Sequence, residues 1–89
     1  MANMVYTEGF LNDAAAIWSP SVRDHLLRAL RAIEMFPGIG SADIPETIRE
    51  RYGTDVRKMA ICPFDLVYEY GRESDVVYVH ALIPFRQVR

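Results

Sequence analysis

The feature that most constrains the fold is a change in hydrophobic spacing a little past the middle of the chain. In the first part, apolar residues recur every three or four positions, which is the spacing of a helix with one packed face. From residue 56 onward the chain is rich in Val, Ile, Tyr and Phe, the residues that strands favour. A chain of 89 residues has room for one domain with one core. The sequence therefore predicts a single α+β domain over residues 1–89.

The first part predicts two helices that pack as an antiparallel hairpin. Thr7 is expected to cap a helix at residues 8–18, and Ser19 a second helix at residues 20–36. Pro20 fits the first helical position, because its missing N–H costs nothing there. The apolar stripes are Phe10, Leu11, Ala14, Ala15 and Trp18 on the first helix, and Val22, Leu26, Leu30 and Ile33 on the second. The connection is so short that the two helices must lie side by side.

The second part predicts a long connection followed by an antiparallel meander. Residues 37–55 form the connection, with one helical turn at residues 45–51. The predicted strands are residues 5–7, 57–62, 64–70 and 76–83, the first of them an edge strand. Alternation within the strand at 64–70 predicts that one face packs on the helices and that the other is partly wet.

Composition and charge exclude several classes of protein. A net charge of −2 and a pI near 5.6 argue against a surface built throughout for nucleic acid. One cysteine, Cys62, cannot form an internal disulfide or a metal cluster. No Cys, His and carboxylate residues have the spacing of metal ligands, so no metal is expected, and no other cofactor is expected either. The apolar runs are shorter than the roughly 20 residues of a membrane span, and the first residues lack the pattern of a signal peptide. These observations predict a cytoplasmic protein with no membrane partner.

Four motifs, taken in their order and spacing, resemble the RelE/ParE toxin superfamily, which includes proteins labelled plasmid stabilisation. They are Phe36-Pro37-Gly38-Ile39-Gly40 after the second helix, Val56-Arg57-Lys58-Met59 and Pro63-Phe64-Asp65-Leu66-Val67-Tyr68 in strands, and Pro84-Phe85-Arg86-Gln87 at the last strand's end. The resemblance covers nearly the whole chain. It implies a β-α-α-β-β-β fold in which an N-terminal helical hairpin packs on a C-terminal antiparallel sheet.

The same resemblance implies a toxin of a type II toxin–antitoxin system, which inhibits growth until a cognate antitoxin binds it. RelE-like toxins cut messenger RNA in the ribosome, whereas ParE-like toxins poison DNA gyrase without being nucleases. The expected partners are thus an antitoxin and either gyrase or the ribosome with its mRNA. The expected oligomeric state is a homodimer or a toxin–antitoxin hetero-oligomer. Two alternatives stay open: a non-toxic interaction module that keeps the antitoxin-type partner, and an unrelated small α+β binding domain.

The resemblance places candidate site residues on the sheet. Arg57 and Lys58 lie where the family carries basic residues that hold phosphate, and Arg86 lies where it keeps an arginine. His80 is a further candidate general base, although a structural histidine in mid-strand is the alternative. For Arg57 the alternative is a structural arginine paired with a carboxylate such as Glu69.

Two departures from the family favour a non-catalytic toxin over an mRNA-cleaving enzyme. Asp65 stands where RelE-like members carry arginine, and an acid there would repel the scissile phosphate. The family's histidine near the C-terminus is also missing, since the chain reads Ile83-Pro84-Phe85 at that point.

Binding of the antitoxin is predicted at Trp18 and Phe36. A domain of this size leaves some large apolar side chains uncovered, and patches of that kind usually mark interfaces.

Overall fold

The computed structural model describes residues 1–88 as a four-stranded sheet with helices on both faces. In chain order the elements are β1 (Asn3–Tyr6), α1 (Glu8–Ala15), α2 (Pro20–Met35), α3 (Glu46–Tyr52), β2 (Val56–Ile61), β3 (Phe64–Gly71), β4 (Val76–Pro84) and α4 (Phe85–Val88). The predicted α+β class and the order of the predicted elements are confirmed.

The sheet has the strand order β1-β4-β3-β2. β2, β3 and β4 form the predicted antiparallel meander, but β1 joins β4 in parallel, so the complete sheet is mixed. Thr7 fixes this pairing, because its N–H donates to Val79 O at 3.1 Å and its hydroxyl donates to His80 O at 2.9 Å. The helices α1 and α2 follow directly, and both pack on the face of the sheet that we call the hairpin face.

The two helix starts follow the predicted capping chemistry. The Thr7 side chain accepts a hydrogen bond from Phe10 N, and the Ser19 side chain accepts one from Val22 N. The first helix ends at Ala15, three residues before the predicted end, because the following N–H groups bond three residues back in a tighter turn. That turn carries Ile17 into the core and leaves Trp18 outside it.

The main core lies between the helical hairpin and the sheet. Its fully buried members include Ile33 on α2 and Leu66, Tyr68, Val77 and Val79 on the strands.

The opposite face, which we call the α3 face, is more covered than the sequence predicted. A second, smaller cluster joins Ile44 and Ile48 to Val56 and Val67 of the sheet. The helical turn expected at 45–51 is thus the helix α3, which is capped by Gly53, whose φ of 97° favours glycine. The side chains that stay partly exposed on this face include Glu69, Tyr78 and His80.

Candidate functional site

Arg57 lies on β2, and its guanidinium donates hydrogen bonds to the turn after α2. Its Nη1 donates to Gly40 O at 2.8 Å and to Gly38 O at 3.3 Å. Cross-strand pairing places it opposite Tyr68, on the hairpin face. The guanidinium therefore holds backbone carbonyls, and the Glu69 carboxylate considered as its partner binds His80 instead.

The Tyr68 hydroxyl completes the attachment of that turn. It donates to Pro37 O at 2.8 Å and accepts from Gly40 N at 2.8 Å, and the side chain is fully buried. A Cβ on Gly40 would lie 2.6 Å from this hydroxyl, so the close approach requires glycine. Burial raises the pKa of Tyr68 above its ordinary value, while the Gly40 N–H and the nearby Arg57 charge act in the opposite direction.

Lys58 projects to the face opposite Arg57. Successive side chains of a strand alternate between faces, so Lys58 shares the α3 face with its neighbour-but-one Val56, which is in the second cluster. Its backbone N–H and C=O pair with Ser41 on the outer edge of β2. The two basic residues predicted to clamp one phosphate thus point away from each other.

His80 sits at a β-bulge in β4. Val67 pairs with Ala81 and Tyr68 pairs with Val79, so His80 is the extra residue between them. Its Nε2 lies 3.3 Å from Glu69 Oε1, and the His80 side chain is 23% exposed.

The ring of Tyr52 on α3 lies 5.7 Å from the His80 ring, centroid to centroid. A histidine oriented by a carboxylate is the arrangement that a general base requires. The structure thus brings together His80, Glu69 and Tyr52, of which only His80 was proposed as a catalyst.

Arg86 lies in α4, directly after β4, and its side chain is exposed. The backbone turns into this helix at Phe85, just past the predicted end of the last strand. β4 ends at Pro84 opposite Phe64, whereas Arg57 lies opposite Tyr68, so about 13 Å of strand separates the end of β4, from which α4 begins, from the position of Arg57. The structure does not bring Arg86 to the other predicted basic residues.

Asp65 is buried within the sheet layer. None of its surface reaches solvent, and the predicted repulsion of a phosphate by this carboxylate stays a prediction.

The residues predicted to bind a partner are exposed aromatic side chains at the two ends of α2. Trp18 is 89% exposed and Phe36 is 63% exposed. Phe36 has two exposed apolar neighbours, Met35 and Ile39, at the end of α2 and in the turn that Tyr68 holds. These three side chains form one uncovered group, with Trp18 outside it at the other end of α2.

An open cleft of about 770 Å³ lies where β2 begins and the β3–β4 hairpin turns. Its charged lining residues are Asp55, Arg57, Glu69, Arg72 and Glu73, with Tyr70 and Tyr78 beside them. The Tyr70 hydroxyl donates to Asp75 at 2.8 Å, which raises the pKa of Tyr70. Because carboxylates and arginines both line this cleft, its charge does not favour the binding of a phosphate.

Among residues 1–88, no group of three or more His, Cys, Asp or Glu side chains is arranged to hold a metal ion. Over the same residues, no helix combines the length and apolar character needed to cross a membrane.

Comparison with solved structures identifies the fold. A chain of the intact E. coli RelBE toxin–antitoxin complex matches with a TM-score of 0.72 and 22% identity, over 94% of this chain and 96% of that one. The chain has the RelE fold. The isolated E. coli RelE toxin matches equally well, over 94% of this chain and 84% of that one, with 22% identity and a TM-score of 0.72.

A third RelE-fold match is an E. coli RelE double-arginine mutant in complex with an antitoxin RelB peptide. Its TM-score is 0.67 and its identity 25%, over 92% of this chain and 82% of that one. No protein-family model and no curated protein sequence matches the chain. The resemblance to the RelE/ParE superfamily is thus confirmed at the level of the fold.

Proposed function

We propose that this protein is the toxin of a cytoplasmic type II toxin–antitoxin system. The observation that carries the proposal is the fold, which follows that of RelE in its complex with an antitoxin over 94% of the chain. The partner is then a cognate antitoxin protein, and removal of that partner should inhibit growth.

The antitoxin is proposed to contact Trp18 and Phe36. Both side chains are more than half exposed, and aromatic residues with large uncovered areas are frequent anchors of protein interfaces. Their separation, one at each end of α2, favours a partner segment that runs along the helical side of the domain.

Growth inhibition through binding, in the manner of ParE toxins on DNA gyrase, is the favoured mode. Cleavage of RNA needs cations gathered around one phosphate. Here Arg57 binds backbone carbonyls, Lys58 lies on the other face, and Arg86 lies towards the far end of the sheet. This arrangement supports a target-binding role for the exposed Arg86 more than a shared catalytic role.

A second mode, ribosome-dependent cleavage of mRNA, is favoured by one feature only. The His80–Glu69 pair at the bulge has the form of an oriented base, and Lys58 shares the α3 face with it. In this mode the ribosome would complete the site, and purified protein would leave naked RNA intact with or without added metal. The alternative to both modes is a non-toxic module that retains the antitoxin-type partner.

Inducible expression of the protein without the gene of its cognate antitoxin tests the proposal. A toxin should arrest growth, with a DNA damage response for the gyrase mode and shortened mRNA lifetimes for the ribosome mode. Arg86→Ala should abolish the arrest while the melting temperature stays within error, because an exposed charge contributes little to stability.

Arg57→Ala is the matched control for Arg86→Ala. It should lower the melting temperature through loss of the turn, and reduce toxicity in proportion. Normal growth at high levels of folded wild-type protein would contradict the toxin proposal and leave the non-toxic module. An Arg86→Ala protein as toxic as the parent would remove Arg86 from the site.

A further inference from the structure

An exposed strip runs along the outer side of α2 and into the turn that follows. Leu27, Arg31 and Met35 are spaced four residues apart, so they line one side of the helix. The strip continues with Phe36 and Ile39 in the turn, which the Ile39 N–H closes by donating to Phe36 O. The four apolar side chains are 52–63% exposed, and we call these five residues together with Arg28 the α2 strip.

The arginines of the α2 strip are free to bind a partner. Residues four and three positions apart on a helix lie close enough for ion pairs of Arg28 with Asp24 and of Arg31 with Glu34. Within residues 1–88, however, neither guanidinium has a carboxylate at ion-pair distance. The two arginines line an open groove of about 320 Å³ with Leu27 and Asp24. Its two arginines outnumber its one carboxylate, so the groove is complementary in charge to an apolar side chain flanked by carboxylates.

The turn at the end of the strip is rigidly held from below. Tyr68 and Arg57 make four hydrogen bonds to its backbone, at Pro37, Gly38 and Gly40. Beneath exposed apolar side chains, such an anchored backbone lowers the conformational entropy that binding would otherwise cost. The buried hydroxyl and the half-buried guanidinium thus fix the position of Phe36 and Ile39.

We propose that the α2 strip is the docking surface for an acidic amphipathic helix of a partner protein. Arg57 and Tyr68 act as positioning residues that hold the turn in its binding geometry. Leu27 and Met35 lie about 12 Å apart along α2, which matches roughly two turns of a partner helix. The partner's apolar side would cover Leu27, Met35, Phe36 and Ile39, and its carboxylates would meet Arg28 and Arg31. The identity of that partner as an antitoxin rests on the proposed function, whereas the chemistry of the strip does not.

Titration of ¹⁵N-labelled full-length protein tests the strip. The probe is a synthetic helical peptide of about 18 residues, or five turns, with leucines at helical spacing and glutamates beside them. The matched probe has lysine in place of every glutamate. We expect amide shifts confined to α2 and the turn, and at least about tenfold tighter binding of the acidic peptide, which is about 1.4 kcal/mol.

Variants assign the contributions. Arg28→Ala with Arg31→Ala should remove the preference for the acidic peptide, and Arg72→Ala, a loop arginine outside the strip, should leave it unchanged. Arg57→Ala should weaken binding of both peptides while amide shifts outside the turn keep their native positions. Arg57→Lys should behave like Arg57→Ala, since one ammonium does not reproduce the planar guanidinium.

Equal binding of the two peptides, shifts centred elsewhere, or no shifts at about 1 mM peptide would each overturn the proposal. The growth assay separates this outcome from failure of the proposed function. Selective peptide binding without growth arrest contradicts the toxin role alone, and growth arrest without selective binding contradicts the strip alone.

Discussion

The two faces of the sheet use their charged residues differently. On the hairpin face, Arg57 and the Tyr68 hydroxyl donate hydrogen bonds to the chain's own backbone beside the large core. On the α3 face the core is small, and Glu69 and His80 remain partly exposed beside it. A residue type alone therefore does not reveal a functional role, because the face on which it lies decides whether it stabilises the fold or stays available.

Truncation of one buried isoleucine on each face of the sheet tests whether the two cores differ in their contribution to stability. Ile33 and Ile48 are both fully buried, the first in the main core and the second in the small cluster. Ile33→Ala should cost near the upper end of the usual ~2–5 kcal/mol, and Ile48→Ala near the lower end, because α3 can yield locally. Urea denaturation with hydrogen exchange measures both. Equal losses would show that the two clusters form one cooperative core.

The packing of the hairpin face predicts a sharp difference between two glycines of one turn. Gly40→Ala should destabilise by ~1–3 kcal/mol, because its Cβ would collide with the Tyr68 hydroxyl. Gly38→Ala is the control, since nothing lies within 4 Å of its added Cβ. Thermal melts of the two proteins compare them. Identical melting temperatures would mean that the turn is not held as closely as described.

Alkaline pH should weaken the hairpin face through Tyr68. Its pKa is raised on folding above the ordinary 10.0, so the unfolded chain loses this proton first and stability declines as pH rises above about 10. Tyr68→Phe should make that decline shallower by up to about 1.4 kcal/mol per pH unit. The raised pKa values of Tyr6 and Tyr70 leave a residual slope. Unfolding free energies between pH 8 and about 11 test this, and an unchanged slope in Tyr68→Phe would contradict it.

The smallest effect on stability is expected on the α3 face. His80→Gln and Glu69→Gln should each change the unfolding free energy by less than about 1 kcal/mol, because the pair is partly exposed. A large loss of mRNA cleavage in cells from both variants, with stability kept, would assign this pair to the ribosome mode. A loss of stability comparable with that of Gly40→Ala would instead show that the main role of the pair is to stabilise the fold.

Local signals allowed much of the fold to be predicted. Ser19 followed by Pro20 marks the start of α2 because both the cap and the fixed proline φ act within one turn. The strands β2, β3 and β4 were predicted to within one or two residues, because their composition and the hairpin turns are local features.

The site could be predicted only in part, since its contacts join distant positions. The Tyr68 hydroxyl reaches Pro37, 31 residues away, and the Thr7 hydroxyl reaches His80, 73 residues away. The separation of Arg57 from Lys58 was, by contrast, available from strand alternation alone. The role of Glu69 depended on the bulge at His80, which no pattern in the sequence announces.

The pairing of Ser41 with Lys58 has a consequence for how copies of the chain behave at high concentration. An edge strand with unpaired backbone N–H and C=O groups can pair with a strand of another molecule and begin an aggregate. Here Ser41, in the chain's own loop, pairs with the N–H and C=O of Lys58 in the middle of the outer edge of β2. The remaining margin, β1, is only four residues long. Edge strands protected in this way lower the tendency of the chain to aggregate when its concentration exceeds that of any binding partner.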